Sequence, residues 1–206
     1  MKTLISRFKM LTPKTFIIAC ALAMGGTGLV PTTPVSGIPS AMAQQSGRYS
    51  SNELLNAGHG FFGAASNGLA SLIEKAVGEH GLPNGYILGE EGSGALVAGL
   101  RYGEGQLYTK NAGDHKVFWQ GPSIGWDFGG DGNRTMMLVY NLTNTQKIYR
   151  RFIGVSGSAY LVGGLGMTVM KHGDVVLVPV RTGVGARLGV NVGYLKLRDH
   201  PTWNPF

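Results

Sequence analysis

Apolar residues alternate in short runs along most of the chain, cut by glycine every few residues, most densely between Gly89 and Gly130. A period of two, with Gly, Asn and Asp between runs, predicts antiparallel strands joined by tight turns. Candidate strands fall at 84–89, 94–102, 105–110, 115–121, 123–129, 134–141, 158–163, 165–171, 174–182 and 184–197. Gly103-Glu104-Gly105, Asn111-Ala112-Gly113-Asp114 and Gly130-Asp131-Gly132-Asn133 carry the chemistry of hairpin turns. In the last segment Val184, Ala186, Leu188, Val190, Val192 and Tyr194 share one face, and the other is mostly glycine. A face of bare backbone lets a helix or an aromatic ring sit directly on the sheet, or permits the coiling that closes a small barrel.

Upstream of the strands the period lengthens to that of a helix. Ser50-Ser51-Asn52-Glu53 has the spacing of a capping box. Leu54, Ala57, Phe61, Ala65, Leu69, Leu72, Ile73 and Ala76 then recur at three- and four-residue steps. Gly58, Gly60, Gly63 and Gly68 predict a kink near 58–63, and Gly81 and Pro83 end the helix. Its polar face carries Lys75 as its only Lys or Arg, so it is expected to pack on the protein's own sheet rather than lie on a membrane. A second, short helix is predicted at 143–152, with Ile148 and Phe152 inward.

The first 43 residues look different. Lys2, Arg7, Lys9 and Lys14 precede an apolar run from Phe16 to Ala23, and Ala41-Met42-Ala43 is a small-x-small cleavage site. This predicts a signal peptide at 1–43, a polar segment at 44–50 and one domain at 51–206. The protein is then expected in the periplasm, not membrane-spanning after cleavage. Cleavage takes four of the 18 basic residues and none of the 11 acidic ones, so the net charge falls from +7 to +3. The remaining charge is dispersed apart from Arg150-Arg151, which argues against nucleic acid as a partner. The single cysteine, Cys20, leaves with the leader unless it is lipidated, so no disulfide or thiolate chemistry is expected.

Catalytic patterns occur but lack their context. Gly121-Pro122-Ser123-Ile124-Gly125 matches a nucleophile elbow, yet no helix pattern follows it; a proline-and-glycine turn is expected instead. Asp127-Phe128-Gly129 stands without the other kinase motifs, and the glycine runs open no helix that could cradle a phosphate. The five histidines are scattered, so no metal site or cofactor is expected. The candidate ligand-binding residues are Glu90, Glu91, Arg101, Tyr102, Glu104, Trp119 and Trp126. The carboxylates flank Arg101-Tyr102 on neighbouring strands and could act on a glycan as an acid and base pair; the aromatics could line a sugar or lipid groove.

The runs NAGHGFFG, PNGYILGEEGSGALVAGLRYGEGQLYTKNAGDH, WQGPSIGWDFGGDG, RTMMLVYNL, GSAYLVGGLGMT, RTGVGARLGVNVGYLKL and the terminal TWNPF closely resemble the bacterial envelope integrity protein A family, from about Asn52 to Phe206. The resemblance implies a periplasmic protein with a small β-barrel that serves envelope homeostasis and, in pathogens, virulence. It brings no catalytic residue with it. GLRYGEGQLYTK, GPSIGWDFGGDGNRTMMLVYN and GSAYLVGGLG are also similar, more weakly, to the SYLF lipid-associated domain, whose membrane-active helix would correspond to about 52–77.

The expected fold is mainly β: a small soluble antiparallel barrel of about 9–10 strands, with an N-terminal amphipathic helix and a short inserted one. The expected function is non-enzymatic support of the cell envelope by a monomer that binds a lipid, a glycan intermediate or an envelope protein. Two alternatives stand beside it, a hydrolase acting on peptidoglycan or lipopolysaccharide, and an outer-membrane β-barrel. Pro201 and Pro205 count against the latter, because a closing strand needs its backbone N–H groups.

Overall fold

The structure, a computed structural model, describes residues 47–94, 98–124, 133–182, 193–202 and 204. The leader and cleavage site, candidate Trp126, the Gly130–Gly132 turn and residues 184–192 of the last predicted strand lie outside the described residues.

Two helices replace the single kinked one. Helix α1 spans Ser51–Phe62 and α2 spans Leu69–His80, with a 3₁₀ turn at Gly63–Ser66 between them. The break falls later than predicted because Gly63 and Gly68, not Gly58, take positive φ (58° and 88°). The capping box is complete: the Glu53 N–H donates to Ser50 Oγ at 3.3 Å, and the Ser50 N–H donates to Glu53 Oε2 at 2.7 Å. Lys110 lies 2.8 Å from the same carboxylate. The Lys110 side chain first, then the Ser50 donors, hold the Glu53 carboxyl down at about 2, against an ordinary value of 4.5. A carboxyl lowered by folding stabilises the fold above its unfolded value and loses that contribution as pH falls through its folded value. Thermal melts of the wild type and Glu53→Gln should therefore stay separated from neutral pH down to about 4.5 and converge towards about 2. The gap is expected to be no more than about 1 kcal/mol, since the pair is well exposed.

Among the described residues ten strands follow: β1 Gly85–Gly94, β2 Ala98–Thr109, β3 Gly113–Ile124, β4 Asn133–Tyr140, β5 Arg151–Gly154, β6 Tyr160–Val162, β7 Leu165–Met167, β8 Met170–His172, β9 Val175–Arg181 and β10 Tyr194–Arg198. Eight of them close an antiparallel barrel in the order β1-β2-β3-β10-β5-β8-β9-β4, with β4 returning to β1. The β6–β7 hairpin extends from β9.

Several predicted boundaries change. Gly103-Glu104-Gly105 is not a turn but the middle of β2, and Gly121-Pro122 lies inside β3. The predicted helix at 143–152 is only a 3₁₀ turn at Thr145–Ile148, and Phe152 reaches the core from β5. In β10 the inward residues are Leu195 and Leu197, so Tyr194 lies on the outer face rather than the packed one. Pairing with β3 and β5 sets that parity.

There are two apolar cores, one on each side of the barrel wall. Leu54, Phe62, Leu69, Leu72, Ile73 and Ala76 of the helices cover Met136, Leu138 and Tyr140 of β4 and Val176, Val178 and Val180 of β9 from outside. Phe62 is the buried member of the Phe61-Phe62 pair; Phe61 lies under the Arg134 guanidinium, 5.9 Å from ring centre. Inside the barrel, Ile87, Leu107, Val117, Met137, Val139, Leu177 and Leu197 fill one end. That leaves the composition of the other end to the residues further along the same inward rows.

Candidate functional site

At the other end the inward rows turn polar. On β1 the row Ile87, Gly89, Glu91 faces in, which leaves Glu90 facing out. On β2 the inward row holds Leu107, Gly103 and Arg101, and on β9 it runs Val175, Leu177, Pro179, Arg181. Trp119 from β3 lies across the interior at 2% exposure, with its ring against Gly89 and Gly103. Only glycine fits beneath it, because a Cβ at either position would meet the indole inside van der Waals contact.

Glu91 sits above this ring at 5% exposure. Its Oε2 accepts the Trp119 indole N–H at 2.8 Å, and its Oε1 lies 3.3 Å from Arg181 Nε and 3.6 Å from Arg101 Nη1. Arg101 also donates through Nε to the Pro122 carbonyl at 2.9 Å. The result is an arginine–glutamate–arginine triad inside a barrel. Arg181 Nε, apart from its ion pair with Glu91, and Arg181 Nη2 are buried without a hydrogen-bond partner among the described residues, as is the Oγ1 of Thr135, which stands opposite Arg181 in the β4–β9 ladder. A cavity of about 20 Å³ adjoins the triad, lined by Arg101, Arg181, Thr168, Met170 and Tyr194 among others. It has room for about one water-sized group. Both arginine side chains stay partly exposed, at 19% for Arg101 and 12% for Arg181, so the triad lies at the mouth rather than in the depth of the barrel.

Of the sequence candidates, the fold brings Glu91, Arg101 and Trp119 together and separates the rest. Glu90 is exposed and lies opposite Glu104 in the β1–β2 ladder and opposite Arg134 in the β1–β4 ladder. Glu104 pairs with Lys116 at 3.2 Å on the surface, and Tyr102 shares that outer row. Adjacent glutamates on a strand point to opposite faces, so Glu91 enters the barrel apart from the other two carboxylates, while Glu90 and Glu104 are cross-strand neighbours on the outer face, with Glu104 engaged by Lys116. Ser123 lies in the β2–β3 ladder opposite Gly99, without the strand-to-helix turn of a nucleophile elbow. Among the described residues no three His, Cys, Asp or Glu side chains cluster as metal ligands.

Arg181, Thr135 and Thr168 escape the sequence reading. The signal for Arg181 is present, since it continues the odd-numbered inward row of the VVLVPVR run. The other cavity, about 140 Å³ at the Asn84–Asn144 end, is lined by Asn and Thr side chains already committed to turns. Asn84 holds both polar groups of Leu142, and Thr109 Oγ1 caps the Ala112–Gly113 turn.

The model of one family, described as envelope integrity protein A, matches residues 47–206, which is the helices and the whole barrel. The chain belongs to the envelope integrity protein A family. A crystal structure of a β-barrel-like, uncharacterised protein from Brucella abortus is 65% identical, covering 78% of this chain and 99% of that one with a TM-score of 0.72. No curated protein matches the chain. Envelope integrity protein A names a cell-envelope role and no reaction, and the Brucella relative is described without an activity.

Proposed function

We propose that the protein works in the periplasm as a non-catalytic module of envelope integrity that holds an anionic group, a phosphate or carboxylate of an envelope lipid or glycan intermediate, at the mouth of its barrel. The observation that carries this reading is Arg181, whose buried Nη2 group has no hydrogen-bond partner among the described residues and lies beside a cavity at the barrel mouth. Guanidinium groups bind phosphate and carboxylate through paired N–H donors, and a half-desolvated site strengthens that attraction. The cavity admits one oxygen of such a group, while the bulk of the ligand stays outside the barrel.

Features of the fold count against the alternatives. Strands of three or four residues at β5 and β8, and helices lying over the outer face of β4 and β9, do not suit a wall of tilted strands of about 9–11 residues each facing lipid. Against an enzyme, both oxygens of Glu91 are engaged by Trp119 and the arginines, and its neighbouring glutamate faces the other way.

The test is complementation of a deletion strain. The wild-type gene should restore resistance to detergents and envelope-targeting antibiotics, and Arg181→Gln, expressed to the same level, should not. Full rescue by Arg181→Gln would refute the anion-holding role. N-terminal sequencing of the exported protein should begin at Gln44; a start at Met1 or a lipidated Cys20 would revise the export route.

A further inference from the structure

The helices cover the β4–β9 side of the barrel, and the wall that continues from β9 around the barrel is formed by β8, β5 and β10. Because Leu195, Leu197, Phe152 and Met170 point inward, the outward positions on that wall are Lys196, Arg198, Arg151, Ile153 and Lys171, with Tyr194 beside them. The ladders place Lys196 directly opposite Arg151, and Ile153 between Tyr194 and Lys171. We propose that this wall docks the protein onto an anionic phospholipid surface, with its basic residues among the headgroup phosphates and Ile153 entering between them.

Four observations support the assignment. The β10–β5 ladder sets two like charges, Lys196 and Arg151, directly opposite each other on this outer face. Desolvation first, then repulsion from Arg198 and Arg151, pushes the Lys196 ammonium below its ordinary pKa, so the crowding is felt. Elsewhere surface cations meet carboxylates, as in Lys75–Glu79, Lys110–Glu53 and Lys116–Glu104. On this wall no ion pair joins Arg151, Lys171 or Arg198 to a carboxylate among the described residues, and Asp199 at the end of β10 is taken by His200 at 2.6 Å.

The choice of lipid over an acidic protein rests on Ile153. It is 64% exposed, the most of any large apolar side chain described, and Val155 continues the same row at 37%. An apolar row set among lysines and arginines is the composition of an interfacial binding face. Arg151 stacks on Tyr194 at 4.5 Å, which keeps one cation and one amphipathic ring together at the level of the sheet. This surface is separate from the triad, whose side chains face the barrel interior.

Sedimentation with phosphatidylcholine vesicles, with and without phosphatidylglycerol, tests it at low and moderate salt. The purified protein is expected to pellet only with the anionic vesicles, and less as salt rises. Arg151→Ser with Lys171→Ser should weaken partitioning about 25-fold, at roughly fivefold per charge. Ile153→Ser should weaken it without changing the salt dependence. Lys75→Ser removes one charge from the helix side and should leave binding unchanged. All four positions are on the surface, and matched thermal melts establish that the variants are folded. Equal binding to neutral vesicles, no binding to either, or unaltered binding by the double variant would overturn the proposal. So would release of the wild type from anionic vesicles by soluble polyglutamate at matched charge and salt, which would make an acidic protein the occupant.

Discussion

Glu91→Ala is expected to lower the stability of the fold by about 3–5 kcal/mol, because it leaves two guanidinium groups confined at the barrel mouth without their carboxylate. For a domain of this size that is a fall in Tm of about 6–20 °C. Part of the loss is the Trp119 N–H, which would be left without its acceptor. Glu91→Gln separates the two contributions, since an amide oxygen can still accept from the indole but carries no charge. The charge is judged the larger share, so Glu91→Gln should retain most of the destabilisation. Exchanging all three members for apolar residues, Glu91→Leu with Arg101→Met and Arg181→Met, should recover much of the charge contribution, because packed apolar side chains replace the ionic group at little net cost, and should leave the share of the Trp119 N–H. Urea unfolding measures all three; a change under about 0.5 kcal/mol for Glu91→Ala would mean that the triad is solvated and not an energetic unit. The triad also links stability with the proposed function, since removing its one negative charge should tighten anion binding while weakening the fold.

The second large effect is expected at Gly103. Valine there would set its Cβ on Trp119 Cε2, Nε1 and Cζ2, and the same ring reaches over β1 as far as Gly89. The indole cannot lift off both strands without breaking its bond to Glu91, so Gly103→Val should cost about 3 kcal/mol and abolish the near-ultraviolet circular dichroism of Trp119. Trp119→Ala alone should cost about 3–5 kcal/mol through the cavity it leaves. Combined, the two should cost clearly less than their sum, because the smaller residue at 119 makes room for the valine. Additive losses would show that Gly103 serves the bend of β2 and not the ring.

This coupling explains why the sequence misleads at Gly103-Glu104-Gly105. Glycine is the residue of tight turns and equally of strands approached by another group, and the local pattern is the same in both. Only the pairing of β2 with β1 and β3 along its whole length distinguishes them. The pair Glu90-Glu91 poses the same problem in miniature. Their two side chains must face opposite ways, but which one enters the barrel depends on strand register, and that is fixed by barrel closure. Arg181 was legible only in part, as the last residue of an inward row whose direction became clear once β9 was paired with β4.

From its residues alone the chain determines a capped amphipathic segment ahead of the strands, a run of short antiparallel strands and the Asn111–Gly113 hairpin. These follow from periodicity and turn chemistry, which act over a few residues. Tertiary structure decided that eight strands close on themselves, that the helices cover β4 and β9, and that Glu91, Arg101, Trp119 and Arg181 meet. Residues 80 positions apart along the chain come within reach only when closure sets the register, and the register assigns each charge to the interior or to the surface.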